Sequence, residues 1–324
     1  MLKDVLDIPD HIRDALWRFD SAQLKPRASS GFVVCGMGGS AIGAELARGI
    51  LHHRLSHPLI VVRAYNLPKW VNENWAVLAS SYSGNTEETL SSFREAGDVG
   101  THRWVAGVGG RLGEEARESG IGVVGLPGSF QPRVTVAYMT VIATCAAHLA
   151  GVAPDIRKEL EQAATFLDGC LDGLQTLALD LAAKINETPL VIHGAGLTTS
   201  VARRWANQFN ENAKQLAFPA EIPEANHNLM EAWSKGKGGL GAVFLDDSGQ
   251  SPRERRRMDL TARSIEHTGA PVFTVETQGE TRAERVFWSV MLGDLVSVAV
   301  ANQRGIDPMP VDEIEDFKRR LGEG

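Results

Sequence analysis

The sequence predicts an α/β protein of two similar domains, each a parallel sheet flanked by helices. Short apolar runs alternate with helical segments, as expected for parallel strands that are covered on both faces. Glycine-rich turns follow several of these runs. The pattern then starts again, because Gly194 lies 158 positions after Gly36 and Gly249 lies 165 positions after Gly84 in similar contexts. Two matching pairs at similar offsets indicate an internal duplication.

Eight apolar runs are predicted as strands. They are residues 31–35, 59–63, 76–80, 104–108 and 122–126 in the first half, and 189–194, 241–245 and 271–275 in the second. A helix is predicted over residues 40–50, after the first strand, and helices over about 155–185 link the halves. Further helices extend both ends of the chain. We therefore place an N-terminal domain at residues 1–153 and a C-terminal domain at 154–324.

Composition supports a globular protein and excludes several classes. The chain has 324 residues, which leaves room for two domains, with 43% hydrophobic and 23% charged residues. These fractions exclude disorder, collagen and coiled coil as descriptions of the whole chain. The net charge of −7 argues against a chain-wide nucleic-acid role.

Cysteine content and hydropathy indicate a cytoplasmic protein. Cys35, Cys145 and Cys170 have neither disulfide-framework nor zinc spacing, so we expect buried free thiols. The first residues lack the features of a signal peptide. Residues 134–153 are apolar and long enough to span a membrane, but threonines and a histidine interrupt them and no second such segment is expected. We predict a buried helix there and no membrane contact.

The first glycine-rich turn covers residues 36–43. The turn follows a strand and contains Gly36, Gly38 and Gly39, and Ser40 begins the next helix. Glycines would let a ligand approach the backbone closely, and the N-terminus of the helix favours an anion. The turn only approximates the Gly-x-Gly-x-x-Gly fingerprint of dinucleotide-binding folds, and it lacks the lysine of a Walker-type phosphate-binding loop. The turn is either an anion or sugar site or a purely structural tight turn.

The second turn carries four polar side chains around one glycine. Ser81, Ser83, Asn85 and Thr86 surround Gly84 at the start of a predicted helix. Hydroxyls and backbone N–H groups together can hold a phosphate monoester. The alternative is an ordinary helix cap, but a cap needs only one hydroxyl. No lysine or arginine lies in the turn, which favours reversible binding of a small sugar phosphate.

These motifs together resemble one enzyme family. Ser-x-Ser-Gly-x-Thr after a strand is similar to the phosphosugar-binding signature of sugar isomerase (SIS) domains. With residues 36–43, Gln131-Pro132-Arg133 and Asn226-His227-Asn228, the chain resembles bifunctional phosphoglucose/phosphomannose isomerases from about residue 31 to 320. The resemblance implies two flavodoxin-like, three-layer SIS domains. The substrate-binding residues it implies are Gly38, Gly39, Ser40, Ser81, Ser83 and Thr86.

The resemblance also implies four catalytic residues. Glu211, between two asparagines, corresponds to the base that moves a proton between C1 and C2. His227 corresponds to the residue that opens the pyranose ring from the partner subunit of a homodimer, and Lys318 to a lysine that assists it. The guanidinium of Arg133 suits a developing enediolate oxygen. The family usually has glutamate after this His-Asn pair, where this chain has Leu229.

Each of these residues also has an ordinary alternative. The glutamate could be a solvated surface residue, the histidine a surface or capping residue, and the arginine a loop cap. Arg319 and Arg320 adjoin Lys318 and could take its place, since a helix end favours cations in any case.

The expected activity is an aldose–ketose isomerisation. Glucose 6-phosphate, and also mannose 6-phosphate, would be converted to fructose 6-phosphate through a cis-enediol, because one base can serve both C2 epimers. The reaction needs no redox cofactor, and no residue cluster has metal-ligand spacing, so we expect neither cofactor nor metal. Two alternatives stay open: a non-catalytic sugar-phosphate-binding protein, or an isomerase of another sugar phosphate.

Overall fold

The computed structural model describes residues 1–235 and 239–322, which form two compact units. The N-terminal unit comprises Leu6–Cys170 and Gln278–Trp288. The C-terminal unit comprises Met1–Val5, Leu171–Thr277 and Ser289–Gly324. The division into domains after residue 153 stays a prediction.

Helices account for most of the described residues. In chain order, the α-helices of the described residues are α1 (Leu2–Leu6), α2 (Ile8–Ser21), α3 (Gly38–Leu51), α4 (Glu87–Asp98), α5 (Gly110–Glu118), α6 (Val136–Leu149), α7 (Arg157–Asp168), α8 (Leu171–Ile185), α9 (Thr198–Asn212), α10 (Leu229–Lys235), α11 (Pro252–Glu266), α12 (Arg282–Gln303) and α13 (Asp312–Gly322). Three short 3₁₀ turns cover His52–Arg54, Pro132–Thr135 and Glu224–His227.

The N-terminal unit contains a five-stranded parallel sheet. Its strands are β1 (Phe32–Cys35), β2 (Leu59–Val62), β3 (Ala76–Ser80), β4 (His102–Gly107) and β5 (Gly122–Gly125), in the order β2-β1-β3-β4-β5. Every residue of β1 and β3 is buried, so both faces of the sheet are covered. On one face, Leu90 and Phe93 of α4 pack with Val105 of β4. The predicted α/β fold with parallel strands is confirmed.

The C-terminal unit repeats the plan with four parallel strands. They are β6 (Leu190–Ala195), β7 (Ala217–Ile222), β8 (Gly241–Asp246) and β9 (Val272–Glu276), in the order β7-β6-β8-β9. β7 is absent from the predicted strands, because Pro219 interrupts its apolar pattern. The strand tolerates proline because β7 is the first strand in the sheet order and lies at an edge.

Two long apolar helices lie in the protein interior. The predicted buried helix is α6, whose residues 136–147 are all buried. The expectation that no second apolar segment of this length exists was wrong, because the 22-residue α12 has a mean hydropathy of 1.3 over its most apolar window. The charged Asp294 interrupts that apolar run in the sequence. In the described part of the chain, α12 alone meets the length and hydropathy criteria for spanning a membrane. Because 89% of its apolar window is buried, a core helix explains it.

The cysteines are unpaired. Cys35 and Cys145 are buried, as predicted, whereas Cys170 is only half-buried. Cys170 lies between α7 and α8, where the chain leaves one helix and enters the next, and this exposes part of its side chain.

A buried ion pair fixes α9 to α12. The guanidinium of Arg204 donates two hydrogen bonds to Asp294, from Nε to Oδ1 at 3.0 Å and from the terminal nitrogen to Oδ2 at 2.6 Å. Both side chains are almost fully buried. Two turns further along α9, Asn212 Nδ2 donates to Ser297 Oγ at 2.9 Å. The last turn of α9, which carries Glu211, is therefore anchored on a core helix.

Replacing Asp294 with alanine should strongly destabilise the protein. The change would leave the Arg204 guanidinium buried without its carboxylate, which typically costs about 3–5 kcal/mol. Urea denaturation of Asp294→Ala should show this loss. The double variant Arg204→Met/Asp294→Leu, which removes both charges, should recover most of it. Equal unfolding midpoints for Asp294→Ala and the wild type would contradict a role of the pair in stability.

Candidate functional site

The strand order of the N-terminal unit places a crevice between β1 and β3. In a sheet of order 2-1-3-4-5, the connections after β1 and β3 leave in opposite directions, and ligands bind outside the carboxyl ends of these strands. Both predicted turns begin there. A Cβ on Gly36 would lie 2.9 Å from the carbonyl oxygen of Ser80, so the two turns start in backbone contact.

The first turn leads directly into α3. Gly38 begins the helix with φ +49°, and no side chain caps it at Met37. A Cβ on Gly39 would lie 2.9 Å from the carbonyl oxygen of Pro132 and 3.5 Å from Cα of Arg133. The glycine therefore lets the chain segment that carries the arginine lie against the turn.

Arg133 is a buried cation beside this turn. Its side chain is only 3% exposed. Thr135 Oγ1 donates to the carbonyl oxygen of Pro132 at 2.8 Å and stabilises the 3₁₀ turn that carries the arginine. Ser40, at the start of α3, is also nearly buried. The arrangement supplies a fixed positive charge at the β1 end of the crevice.

The second turn holds itself together through its own hydroxyls. Ser81 Oγ lies 2.9 Å from Thr86 Oγ1 and accepts a hydrogen bond from the amide of Gly84 at 3.1 Å. Ser81 is 2% exposed, so its hydroxyl shapes the turn from inside. Ser83 is exposed, and its hydroxyl accepts from the amide of Asn85 at 3.2 Å. The exposed groups of the turn are therefore those best placed to meet a ligand.

The alternative of an ordinary helix cap does not describe this turn. α4 begins after Thr86, but the threonine side chain makes no capping hydrogen bond and lies against Ser81 instead. The first turn of α4 thus has no side-chain cap, and such a helix start favours an anion. Thr89 Oγ1, in the same turn of helix, is buried and has no hydrogen-bond partner among the described residues.

The second turn packs closely against the backbone of the loop that follows β4. Gly84 has φ +70°, and a Cβ there would overlap the carbonyl oxygen of Gly109. A Cβ on Gly107 would similarly overlap the carbonyl oxygen of Ser81. The shape of the turn depends on these glycines because a methyl group at either position would push the loops apart.

Tyr82 connects the second turn to the segment before Arg133. Its hydroxyl donates to the carbonyl oxygen of Pro127 at 3.1 Å and accepts from the amide of Phe130 at 2.8 Å. In the sequence, this tyrosine is only the variable position between the two serines of the Ser-x-Ser-Gly-x-Thr motif. The signal that could have identified it is an aromatic residue with a polar tip among small hydroxyl residues.

The matching turn of the C-terminal unit is closed by its own side chains. Ser251 Oγ accepts from the amide of Glu254 at 3.2 Å, and the Glu254 carboxylate accepts from the amide of Ser251 at 2.9 Å, forming a capping box. The buried carboxylate of Asp247 accepts from the amide of Gly249 and the hydroxyl of Thr277. The negative charge of Asp247 and the capped helix start disfavour a phosphate there.

Two buried titratable groups are unsuited to acid–base chemistry at neutral pH. Burial raises the pKa of the Cys35 thiol, at the end of β1, to about 12, so it stays protonated. Burial lowers the pKa of His193, on β6, to about 4, so its ring stays neutral and stacks on Phe244. Neither competes with the predicted proton-transfer groups.

Glu211 lies in the last turn of α9, between two anchored asparagines. The side chain of Asn210 exchanges two hydrogen bonds with the backbone of Ala217, the first residue of β7, at 2.9 and 3.1 Å. Asn212 is fully buried and bonds to Ser297. Glu211 itself is half-buried. This environment differs from that of a freely solvated surface glutamate.

His227 is exposed and follows the other end of β7. It closes the 3₁₀ turn Glu224–His227, which begins two residues after the strand ends. The neighbouring Asn226 donates to Thr261 Oγ1 at 2.7 Å and fixes the turn to α11. Because a strand rises about 3.3 Å per residue, the two ends of β7 lie roughly 16 Å apart. Glu211 therefore lies near the start of this strand, and His227 follows its end.

Lys318 lies on α13, which buries none of its residues. Its neighbours are engaged elsewhere, because Asp316 forms ion pairs with both Arg319 and Arg320, the latter at 2.6 Å. Lys318 is exposed.

Comparisons with known proteins identify the family. Residues 174–321 match the family model described as bacterial phospho-glucose isomerase C-terminal SIS domain. Over 294 residues the chain is 36% identical to a bifunctional phosphoglucose/phosphomannose isomerase of Aquifex aeolicus, covering 90% of both chains. The protein belongs to the bifunctional phosphoglucose/phosphomannose isomerase family. A second member, from Caldicellulosiruptor bescii, is 32% identical and covers 100% of this chain and 99% of its own.

The fold of this family member extends to enzymes with other activities. The C-terminal domain of glucosamine-fructose-6-phosphate aminotransferase from Francisella tularensis superposes with a TM-score of 0.74 and 15% identity, covering 95% of this chain and 97% of that chain. At that identity the likeness shows the fold alone. The predicted SIS fold is confirmed.

The candidate residues thus fall into two groups. The predicted phosphate-binding residues and Arg133 lie around the β1/β3 crevice of the N-terminal unit, whereas Glu211, His227 and Lys318 belong to the C-terminal unit. No group of three or more histidine, cysteine, aspartate or glutamate residues that could hold a metal ion occurs in residues 1–235 and 239–322.

Replacing Gly84 with alanine should weaken sugar-phosphate binding at least about tenfold, because the new methyl group would overlap Gly109 and displace the turn. Calorimetric titration with glucose 6-phosphate would measure the change. Gly120→Ala is the matched control, since Gly120 has a similar φ of +65° but open space around it. Equal affinities of Gly84→Ala and the wild type would remove the turn from the binding site.

Proposed function

We propose that this protein interconverts glucose 6-phosphate and mannose 6-phosphate with fructose 6-phosphate through a cis-enediol intermediate. The observation that carries the proposal is the 36% identity, over 90% of both chains, to a curated bifunctional isomerase. The uncapped, hydroxyl-rich turn at the β1/β3 crevice supports a phosphorylated substrate.

The N-terminal unit would bind the substrate phosphate. Ser83, Thr86 and the backbone amides at the start of α4 would donate to the phosphate oxygens. Gly38 and Gly39 would let the sugar approach the backbone at the start of α3. Ser40 and Ser81 are nearly buried, so they would act by holding the two turns in shape.

Glu211 would act as the base. Its carboxylate would remove the proton on C2 of the open-chain aldose and return it to C1, while a hydroxyl proton moves from O2 to O1. Atoms and electrons balance without an oxidant or reductant. Arg133 would stabilise the negative charge that develops on the enediolate oxygen. Rotation about the C2–C3 bond would present either C2 epimer to the same base.

Ring opening would depend on a second copy of the chain. Since Glu211 lies near the start of β7 and His227 follows its end, we propose that the partner subunit's His227 completes each site of a homodimer. An imidazole can both accept and donate a proton, which suits histidine to ring opening. Lys318 would assist, because Arg319 and Arg320 pair with Asp316.

We further propose that the enzyme works in the cytoplasm without a metal, membrane or nucleic-acid partner. Three unpaired cysteines suit a reducing compartment. A proton transfer of this kind needs no Lewis acid when an arginine is available for the enediolate.

Replacing Glu211 with glutamine should abolish most of the isomerase activity. The amide cannot accept the C2 proton, so kcat should fall roughly a hundredfold or more while KM changes little. Fructose 6-phosphate formation from each aldose, measured with EDTA present, is the assay. If the wild-type protein forms no fructose 6-phosphate from either aldose, the proposed isomerase activity is excluded and only a sugar-phosphate-binding role remains.

Glu221→Gln is the matched control for this variant. Glu221 is an exposed glutamate on β7, and its replacement should leave turnover unchanged. Undiminished activity of Glu211→Gln would exclude Glu211 as the base.

Mixing two inactive variants should restore activity if the histidine comes from the partner. Glu211→Gln and His227→Asn would be combined, dissociated and reassociated. Random pairing would then give heterodimers with one intact site each, and roughly a quarter of the wild-type turnover. Recovery far below that level would place the histidine in the same subunit as the base it serves.

A further inference from the structure

Helix α13 presents an apolar stripe that its own chain does not cover. None of its 11 residues is buried. Ile314, Phe317 and Leu321 are 40%, 66% and 51% exposed. Their spacing of three and four places them on one helix face. Because isolated helices of this length are marginally stable in water, a partner for this face is expected.

The charges of α13 are arranged so that the helix complements itself. Its acidic residues precede its basic ones: Asp312, Glu313, Glu315 and Asp316, then Lys318, Arg319 and Arg320. In an antiparallel pair of identical helices, each acidic half faces a basic half. The apolar stripe approximates the same symmetry, because with Phe317 near the two-fold axis Ile314 would lie within about one residue of Leu321 of the other copy. A two-fold interface requires this self-complementarity.

We propose that two copies of this chain associate through antiparallel pairing of their α13 helices. The inference deepens the proposed function, since it rests on the proposed homodimer and names its surface, but it does not depend on any catalytic role. The same charge order also favours the dipole of a single helix. The test must therefore separate pairing from helix stability.

A second surface would add the area that one helix pair lacks. An 11-residue helix is only about 16 Å long, whereas stable interfaces bury about 1,200–2,000 Å². The edge strand β7 exposes Phe218, and the preceding Leu216 is exposed as well. Lys214 Nζ donates to the carbonyl oxygen of Pro310 at 2.7 Å, which joins the approach to β7 to the segment before α13. The segment before α13 therefore lies beside the exposed residues that lead into the edge strand β7.

A charge-swap experiment tests the pairing. One variant, Arg319→Glu/Arg320→Glu, makes α13 predominantly acidic, with Lys318 as its remaining basic residue, and another, Glu313→Arg/Glu315→Arg, makes it predominantly basic. Sedimentation velocity on the full-length chains should show at least a tenfold rise in the dimer dissociation constant for each variant alone, because like charges would face each other. An equal mixture should recover the wild-type constant. Recovery would arise from pairing, since damage to each separate helix would persist in the mixture.

The control changes the same charges elsewhere. Arg253 and Arg256 are exposed on α11, so Arg253→Glu/Arg256→Glu should sediment like the wild type. A monomeric wild type, unaltered association of both α13 variants, or a mixture that fails to recover would each overturn the proposal. Sedimentation reports mass and not turnover. A protein that pairs through α13 but has no isomerase activity would therefore contradict the proposed function and leave the pairing proposal intact.

Discussion

The candidate site depends on loops that lie in direct backbone contact at one edge of a parallel sheet. Gly36 lies against Ser80, Gly39 lies against Pro132, and Gly84 lies against Gly109. The absence of a Cβ lets these loops approach more closely than any other residue would allow. These contacts set the shape of the second turn and place the buried Arg133 beside the first turn.

The two units use the same strand–turn–helix plan for different purposes. In the N-terminal unit the helix after the second turn starts without a side-chain cap, so its amides favour an anion. In the C-terminal unit Ser251 and Glu254 cap the matching helix, and Asp247 fills the turn. The duplication seen in the sequence therefore preserved the fold while only one turn kept the character of an anion site.

Local sequence signals predicted most strands and both turns, because apolar runs and glycines act over a few residues. β7 was missed, since Pro219 is acceptable only at a sheet edge and strand order is a tertiary property. The bridging role of Tyr82 was missed for a similar reason, as its partners lie 45 and 48 positions away. Likewise, the sequence could suggest Glu211 and His227 as candidates but could not show that a whole strand separates them.

The pairing of Arg204 with Asp294 limits how this chain can diverge. Each residue tolerates replacement only when the other changes too, because a lone buried charge is far more costly than either the pair or two apolar side chains. Descendants that alter one helix of this contact must alter the other almost simultaneously. Covariation of these two positions should accordingly outlast sequence change on the surrounding surface.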